Sequence, residues 1–128
     1  MEHENVIRGR NMILHCLKQS SWEAVKNQEI WGEELISQDG FIHCSTIEYF
    51  WRVAPNFQSV SDALVLLCIN ENELVSEVRY EDGDNCGRFY PHVYGVINNS
   101  AVKMVLPFLR NNSGEYMKNT EFSNIDDR

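Results

Sequence analysis

The sequence predicts an α+β fold, in which short strands alternate with short helices. Two observations support this prediction. Apolar runs of strand-like composition recur along the chain, and two of them lead into patterns typical of a helix start. The run at 63–69 is continuously apolar, as in a strand buried on both faces, whereas 77–81 alternates polar and apolar residues. The predicted strands are residues 12–17, 41–45, 63–69, 77–81 and 102–108.

The helix signals are two Ser-x-x-Glu patterns, in which the serine caps the first turn. Ser20 with Glu23 predicts a helix from residue 20 to about residue 27. Ser45 with Glu48 predicts a second helix that ends near residue 55. The second helix would begin directly after a histidine-bearing strand. Its unpaired N–H groups and partial positive charge would suit an anionic ligand.

The remaining segments show no usable periodicity. Residues 28–38 are expected to form an irregular connection into a turn at Asp39–Gly40. Residues 82–87 are rich in turn formers, and residues 88–95 form a compact aromatic segment. We expect a single folded domain at 12–109, a flexible N-terminus at 1–11 and a flexible C-terminal tail at 110–128.

Composition excludes several classes of function. The 128 residues are 43% apolar and 23% charged, which is ordinary for one soluble domain with one core. A formal charge of −8 with no lysine or arginine cluster makes nucleic acid an unfavourable partner. The apolar runs are too short to span a bilayer, and residues 1–12 lack the apolar centre of a signal peptide. We therefore expect a cytoplasmic protein with reduced cysteines and no membrane partner.

Two of the predicted strands have the same sequence pattern, in which a histidine precedes a cysteine. Their sequences are ILHC and FIHCS. Because side chains alternate along a strand, each histidine points away from the cysteine that follows it. If both strands lie in one sheet, Cys16 and Cys44 are buried, and His15 and His43 face one pocket. The alternative is a pair of half-buried histidines that bond only to backbone, and the sequence leaves it open.

His92 is a third candidate, because it lies in the unusual segment FYPHVYG. This segment is either a lid or wall that delivers an imidazole to the pocket, or a rigid aromatic loop packed on a sheet edge. Three histidines could in principle bind a metal. Their spacing lacks any His-x-His or His-x3-His pattern, so no metal site is expected.

Charged residues supply the other candidates. Arg79 and Glu81 share one face of their strand, where Arg79 would hold a phosphate or carboxylate and Glu81 would act as a base or bind a ribose. Arg88 is a second candidate anion clamp. The alternative is that these side chains form a solvated surface. Ser45 fits a helix cap, and no glycine elbow marks it as a nucleophile.

The motifs ILHC, SSWE, GFIHCST, LVLLCI, EVRYE and FYPHVYG together resemble the domain-of-unknown-function family numbered 952. The resemblance spans about residues 12–108. That family is similar to the ADP-ribosyltransferase-like superfamily, which includes the RNA 2′-phosphotransferases. The resemblance implies a split, strongly bent β-sheet with flanking helices and a cleft between its halves.

The resemblance also implies roles for individual residues. His15 falls where the superfamily contacts the adenosine ribose of NAD, and His43 falls on the second motif strand. Glu81 is the nearest counterpart of the catalytic glutamate, with His92 as its alternative. The predicted catalytic residues are His43, His92 and Glu81, and the predicted cofactor-binding residues are His15, Ser45, Arg79 and Arg88.

We therefore expect a small enzyme that uses a nucleotide-type ligand, with NAD or an ADP-ribose derivative as substrate. A protein is one possible acceptor, and the sequence does not decide whether it is the one used. No metal cofactor is expected. The alternative on the same fold is a non-catalytic module that binds a small anion or a peptide. The chain departs from the phosphotransferases where Cys16 and Leu17 follow His15 in place of Gly-Thr, and it lacks their set of RNA-binding arginines.

Overall fold

A computed structural model describes residues 11–128, and the expectation for the N-terminus falls almost wholly on residues 1–10, outside this range. The described chain is a mixed α+β protein whose paired strands all run antiparallel. The helices are α1 (Gln19–Val25), α2 (Glu33–Asp39) and α3 (Phe50–Val53). The strands are β1 (Met12–Lys18), β2 (Ile30–Trp31), β3 (Ile42–His43), β4 (Ser45–Thr46), β5 (Leu64–Asn70), β6 (Glu77–Glu81), β7 (Tyr90–Tyr94), β8 (Ile97–Asn98), β9 (Val102–Pro107), β10 (Leu109–Arg110) and β11 (Tyr116–Met117).

A four-stranded sheet of order β4-β1-β5-β9 forms the centre of the molecule. Strand β5 is buried along almost its whole length, as its continuous apolar run predicts. One face of the sheet packs against α3 and the C-terminal segment. The other face packs against α1, α2 and a second sheet. The first core contains Leu14, Leu66, Cys68, Phe50, Phe108 and Phe122. The second core contains Ile13, Leu67, Trp31, Ile42 and Val93.

The second sheet has the order β3-β7-β6. Its apolar face carries Ile42, Val78 and Val93 into the second core. Side chains on the opposite face come from the alternate positions, so the cross-strand partners His43 and His92 lie side by side there. This polar face is one wall of the candidate site.

The chain passes from one sheet to the other at Cys44. Strand β3 ends at His43 and pairs with β7, whereas β4 begins at Ser45 and pairs with β1. The Cys44 N–H donates to the Pro91 carbonyl at 3.1 Å, which anchors the crossing point. The predicted single strand at 41–45 is therefore two short strands in two sheets, and the two histidine strands do not share one sheet.

Both predicted serine caps are wrong. Helix α1 begins at Gln19 directly after β1, because pairing with β5 continues to Lys18 and the Gln19 N–H donates to the Ala63 carbonyl at 2.8 Å. Ser45 is held in β4, where its Oγ donates to the Thr46 carbonyl at 2.8 Å. The next helix begins only at Phe50 and has four residues. The anion-binding helix terminus expected directly after His43 is therefore not formed.

The segment 28–38 is not the irregular connection that was expected. It contains β2 and most of α2, which is flanked by Gly32 and Gly40 in left-handed conformations with φ of 112° and 85°. Two glutamates in its first turn interact favourably with the helix dipole, and Leu35 and Ile36 pack on the second core. The 88–95 segment is likewise not a loop, because Tyr90–Tyr94 is the central strand of the second sheet.

Residues 110–128 are packed on the domain and do not form the flexible tail that was expected. Strands β10 and β11 make a hairpin, and a 3-10 turn at Thr120–Phe122 inserts Phe122 into the first core with 1% of its surface exposed. The Asn119 side chain donates to the Pro107 carbonyl at 2.9 Å. Within residues 11–128, no helix is long and apolar enough to cross a membrane.

Candidate functional site

A cavity of about 850 Å³ opens where the two sheets meet. Its walls come from β1, β3, β4 and β7, from the helical segment that begins at Phe50, and from the loop between β6 and β7. This volume lies within the usual range for small-molecule sites, roughly 300–1,000 Å³. The predicted site residues that line the cavity are His15, His43, Ser45, Glu81, Arg88 and His92.

The best-defined polar contact in the cavity joins His92 to Glu81. His92 Nδ1 lies 2.8 Å from Glu81 Oε1, so the Nδ1–H donates to the carboxylate. The Tyr94 hydroxyl donates to the same oxygen at 2.7 Å. The hydrogen bond from His92, reinforced by that from Tyr94, lowers the pKa of Glu81 below its ordinary value. Glu81 therefore stays ionised and holds the His92 ring through its Nδ1–H.

Phe41 fixes the orientation of the His92 ring. The two rings stack with centroids 4.0 Å apart and an interplanar angle of 18°. The Phe41 ring also meets the edge of His43 at 4.7 Å. Phe41 and the Glu81 hydrogen bond together leave the buried imidazole of His92 little rotational freedom.

His43 lies beside His92 on the same face of the second sheet. Their ring centroids are 5.5 Å apart, at an interplanar angle of 75°. His43 Nε2 lies 3.2 Å from Asp39 Oδ2, and 63% of the His43 side chain is exposed. The sequence predicted a pocket shared by His15 and His43, and the structure brings His43 closest to His92.

His15 contacts His43 through the backbone. Its Nδ1–H donates to the His43 carbonyl at 2.7 Å, and its ring lies 5.8 Å from that of Trp31. Burial lowers the pKa of His15 below its ordinary value. His15 is therefore neutral near pH 7, with Nδ1 carrying the proton and Nε2 able to accept a hydrogen bond.

The arginines differ in whether they line the cavity. Arg88 and Arg52 line the cavity, and Arg52 also donates to the Arg128 carbonyl at 2.6 Å. Arg79 lies outside the cavity lining. Its guanidinium bonds Glu77 at 3.1 Å and sits 4.1 Å from the centre of the Tyr94 ring. Arg88 therefore lines the cavity with the histidines, whereas Arg79 is the cross-strand partner of His92 on the same sheet face but is held by Glu77 and Tyr94.

Three of the four cysteines are at least partly buried, and Cys86 is exposed. Burial raises the pKa of the Cys44 thiol and raises that of Cys68 to about 12. Partial burial raises the pKa of Cys16 to about 12. Cys86 is exposed at the cavity rim. Within residues 11–128, no three histidine, cysteine or acidic side chains converge as a metal site.

Sequence reasoning missed four contributors to the site, namely Phe41, Tyr94, Asp39 and Arg52. Phe41 and His43 are two residues apart, as are His92 and Tyr94, so period-two alternation places each pair on one face of the second sheet. Asp39 was interpreted only as part of a turn, and it reaches His43 because α2 ends immediately before β3.

The fold and site define a class, namely small α+β proteins with a histidine-lined cleft. The sequence profile of a family described as "Protein of unknown function (DUF952)" matches residues 16–105. The chain belongs to this family, as its motifs predicted. A search of curated proteins found no match.

Solved structures of one bacterial protein are similar to this fold. The crystal structure of protein CC0527 from Caulobacter crescentus is 27% identical, with a TM-score of 0.71 over 83% of this chain and 93% of that chain. The solution NMR structure of CC0527 is also 27% identical, with a TM-score of 0.67 over 81% of this chain and 90% of that one. These matches support one fold across the body of the chain.

Proposed function

We propose that this chain is a small nucleotide-utilising transferase with an ADP-ribosyltransferase-like fold, whose donor substrate is NAD or an ADP-ribose derivative. The observation that carries the proposal is the His92–Glu81 pair on the wall of a cavity that also holds His43 and Arg88. Two sheets that meet at Cys44 and flank one cavity support the split-sheet architecture. Four free cysteines support a reducing, cytosolic location.

Three charged residues of the cavity suit particular parts of such a donor, namely Arg88, Arg52 and Glu81. Arg88 and Arg52 supply positive charge for a pyrophosphate. Glu81 receives both of its hydrogen bonds on Oε1, which leaves Oε2 for a ribose hydroxyl or for the positive charge that develops at the ribosyl carbon. His15 offers Nε2 to the second ribose.

The proposed transfer breaks the bond between the ribosyl carbon and the nicotinamide nitrogen, and nicotinamide leaves with the bonding electrons. A hydroxyl of the acceptor forms the new bond to that carbon and gives its proton to His92. Glu81 stabilises the imidazolium that results. His43 bonds the acceptor as a donor or charge stabiliser.

The test is a titration of the full chain with millimolar NAD and ADP-ribose, followed by NMR at the histidine ring protons. We expect the signals of His15 and His43 to move, and we expect Arg88→Gln to weaken the response. Lys26→Gln is the control, because Lys26 follows α1 and lies outside the cavity lining, and it should respond like the parent chain. Unchanged signals in the parent chain overturn the proposal.

Turnover separates an enzyme from a binding module. We expect His92→Gln to retain the NAD-induced shifts and to lose nicotinamide release by roughly 100-fold or more, which is the usual range for an acid–base residue. If the parent chain binds NAD but releases no nicotinamide with any acceptor, the non-catalytic alternative replaces the transferase.

A further inference from the structure

His43 and His92 each have one ring nitrogen beside a carboxylate. His92 Nδ1 hydrogen-bonds Glu81 at 2.8 Å, whereas His43 Nε2 lies within ion-pair distance of Asp39, 3.2 Å from its Oδ2, at the exposed end of the cavity wall. The second ring nitrogens, His92 Nε2 and His43 Nδ1, have no hydrogen-bond partner within residues 11–128. Both rings line the same cavity and lie 5.5 Å apart.

Two imidazoles at this separation can act on opposite ends of one reacting group. Acid–base cleavage of a phosphate ester can use such a pair, because a proton leaves the attacking oxygen while another is supplied to the departing oxygen. The two rings are in edge-to-face contact, so a phosphate fits across their edges and not between them, with one ring at its attacking oxygen and the other at its leaving oxygen. Transfer at a ribosyl carbon does not require a second imidazole.

The surroundings favour a small phosphodiester. Arg88 lines the cavity and can neutralise a phosphate oxygen. Of the three carboxylates that line the cavity, Glu81, Asp82 and Asp84, two already accept hydrogen bonds: Glu81 from His92 and Tyr94, and Asp82 from the Cys86 and Gly87 N–H groups at 2.9 and 2.7 Å. The formal charge of −8 opposes a long polyanion, which favours a mononucleotide over a longer nucleic acid.

We propose that the His43–His92 pair hydrolyses nucleoside 2′,3′-cyclic monophosphates. Opening the strained five-membered ring makes this class of diester accessible to acid–base catalysis. The activity does not depend on NAD binding, so it stands apart from the transferase proposal.

His43 and His92 differ in burial and in their distance to a carboxylate, and these differences assign the roles of acid and base. His92 is buried and its carboxylate is the closer one, so it is the base that gains a positive charge. His92 takes a proton from water, and the water oxygen forms a bond to phosphorus. The bond from phosphorus to the ribose 2′-oxygen breaks, and protonated His43 gives its proton to that oxygen. The product is a nucleoside 3′-monophosphate.

The test is hydrolysis of 2′,3′-cyclic AMP by the full chain, followed by ³¹P NMR. We expect conversion to 3′-AMP. The rate should fall by roughly 100-fold or more in His43→Gln and in His92→Gln. Lys103→Gln, on an exposed part of β9, is purified in the same way and should keep the parent rate. His43 is exposed, so His43→Gln decides the matter if His92→Gln does not fold.

Two outcomes overturn the inference. One is an absence of 3′-AMP after prolonged incubation, and the other is an equal rate in the parent chain and His43→Gln, which indicates a contaminating nuclease. The same preparations are titrated with NAD. NAD-induced shifts without hydrolysis defeat only this inference, whereas hydrolysis without shifts defeats only the transferase proposal.

Discussion

Replacing Phe122 by alanine measures how firmly the C-terminal segment is docked. Phe122 lies in the first core with 1% of its surface exposed, in a cluster that also contains Phe50 and Phe108. Burying a phenylalanine side chain stabilises a protein by about 1.5–3 kcal/mol, and the cavity left behind raises the total cost of Phe→Ala to about 3–5 kcal/mol. We expect a loss of this size from the free energy of unfolding.

The assay is equilibrium unfolding in urea. With a slope of roughly 2 kcal/mol per M, a loss of about 3–5 kcal/mol lowers the midpoint by about 1.5–2.5 M. Met117→Ala is the matched control in the same segment, because Met117 is 49% exposed, and it should change stability by about 0.5 kcal/mol or less. If Phe122→Ala costs no more than the control, the segment is a loose tail and the docked position is refuted.

Three further predictions concern the pH dependence of stability, the backbone at Gly95 and the reactivity of the cysteine thiols. The unfolded chain takes up a proton at His15 below about pH 6.5, whereas burial lowers the pKa of this group in the folded chain. The free energy of unfolding, measured in urea, therefore declines as the pH falls below about 6.5, and His15→Gln declines less. Gly95→Ala loses roughly 1–3 kcal/mol in the same assay, because φ is 151° and a new Cβ would lie 2.8 Å from Ser76 Cβ. A thiol reagent modifies Cys86 rapidly in the native chain, the half-buried Cys16 slowly, and Cys44 and Cys68 only on unfolding.

Each of these predictions has a contrary result. Equal pH dependence in the parent chain and His15→Gln contradicts the buried neutral imidazole. Full stability of Gly95→Ala contradicts the close approach to Ser76, and Ser76→Gly is the control that isolates that contact. Four thiols that react at one rate in the native chain contradict the burial of Cys44 and Cys68.

The elements best predicted from sequence are strands whose order of apolar and polar residues is enough to identify them. Residues 77–81 alternate and form β6 with the predicted bounds, and the continuous run at 63–69 is β5 to within one residue. Helix α2 was missed because only Leu35 and Ile36 mark its buried face. Its flanking glycines and two initial glutamates were an available signal.

The candidate site depends on pairing that a local pattern cannot reveal. Alternation correctly separates His15 from Cys16, but it does not say which strand lies beside which. His43 reaches His92 because β3 pairs with β7, and Ser45 leaves that sheet because β4 pairs with β1. These pairings join distant parts of the chain through backbone hydrogen bonds, so they belong to the tertiary fold.

The central claim is that the cleft lined by His43 and His92 is a nucleotide site. A crystal structure of the full chain soaked with ADP-ribose tests it most directly. We predict electron density in the 850 Å³ cavity, with a phosphate near Arg88 and a ribose hydroxyl within hydrogen-bond distance of Glu81 or His92. An empty cavity at saturating ligand, or ligand bound only elsewhere on the chain, would contradict the claim.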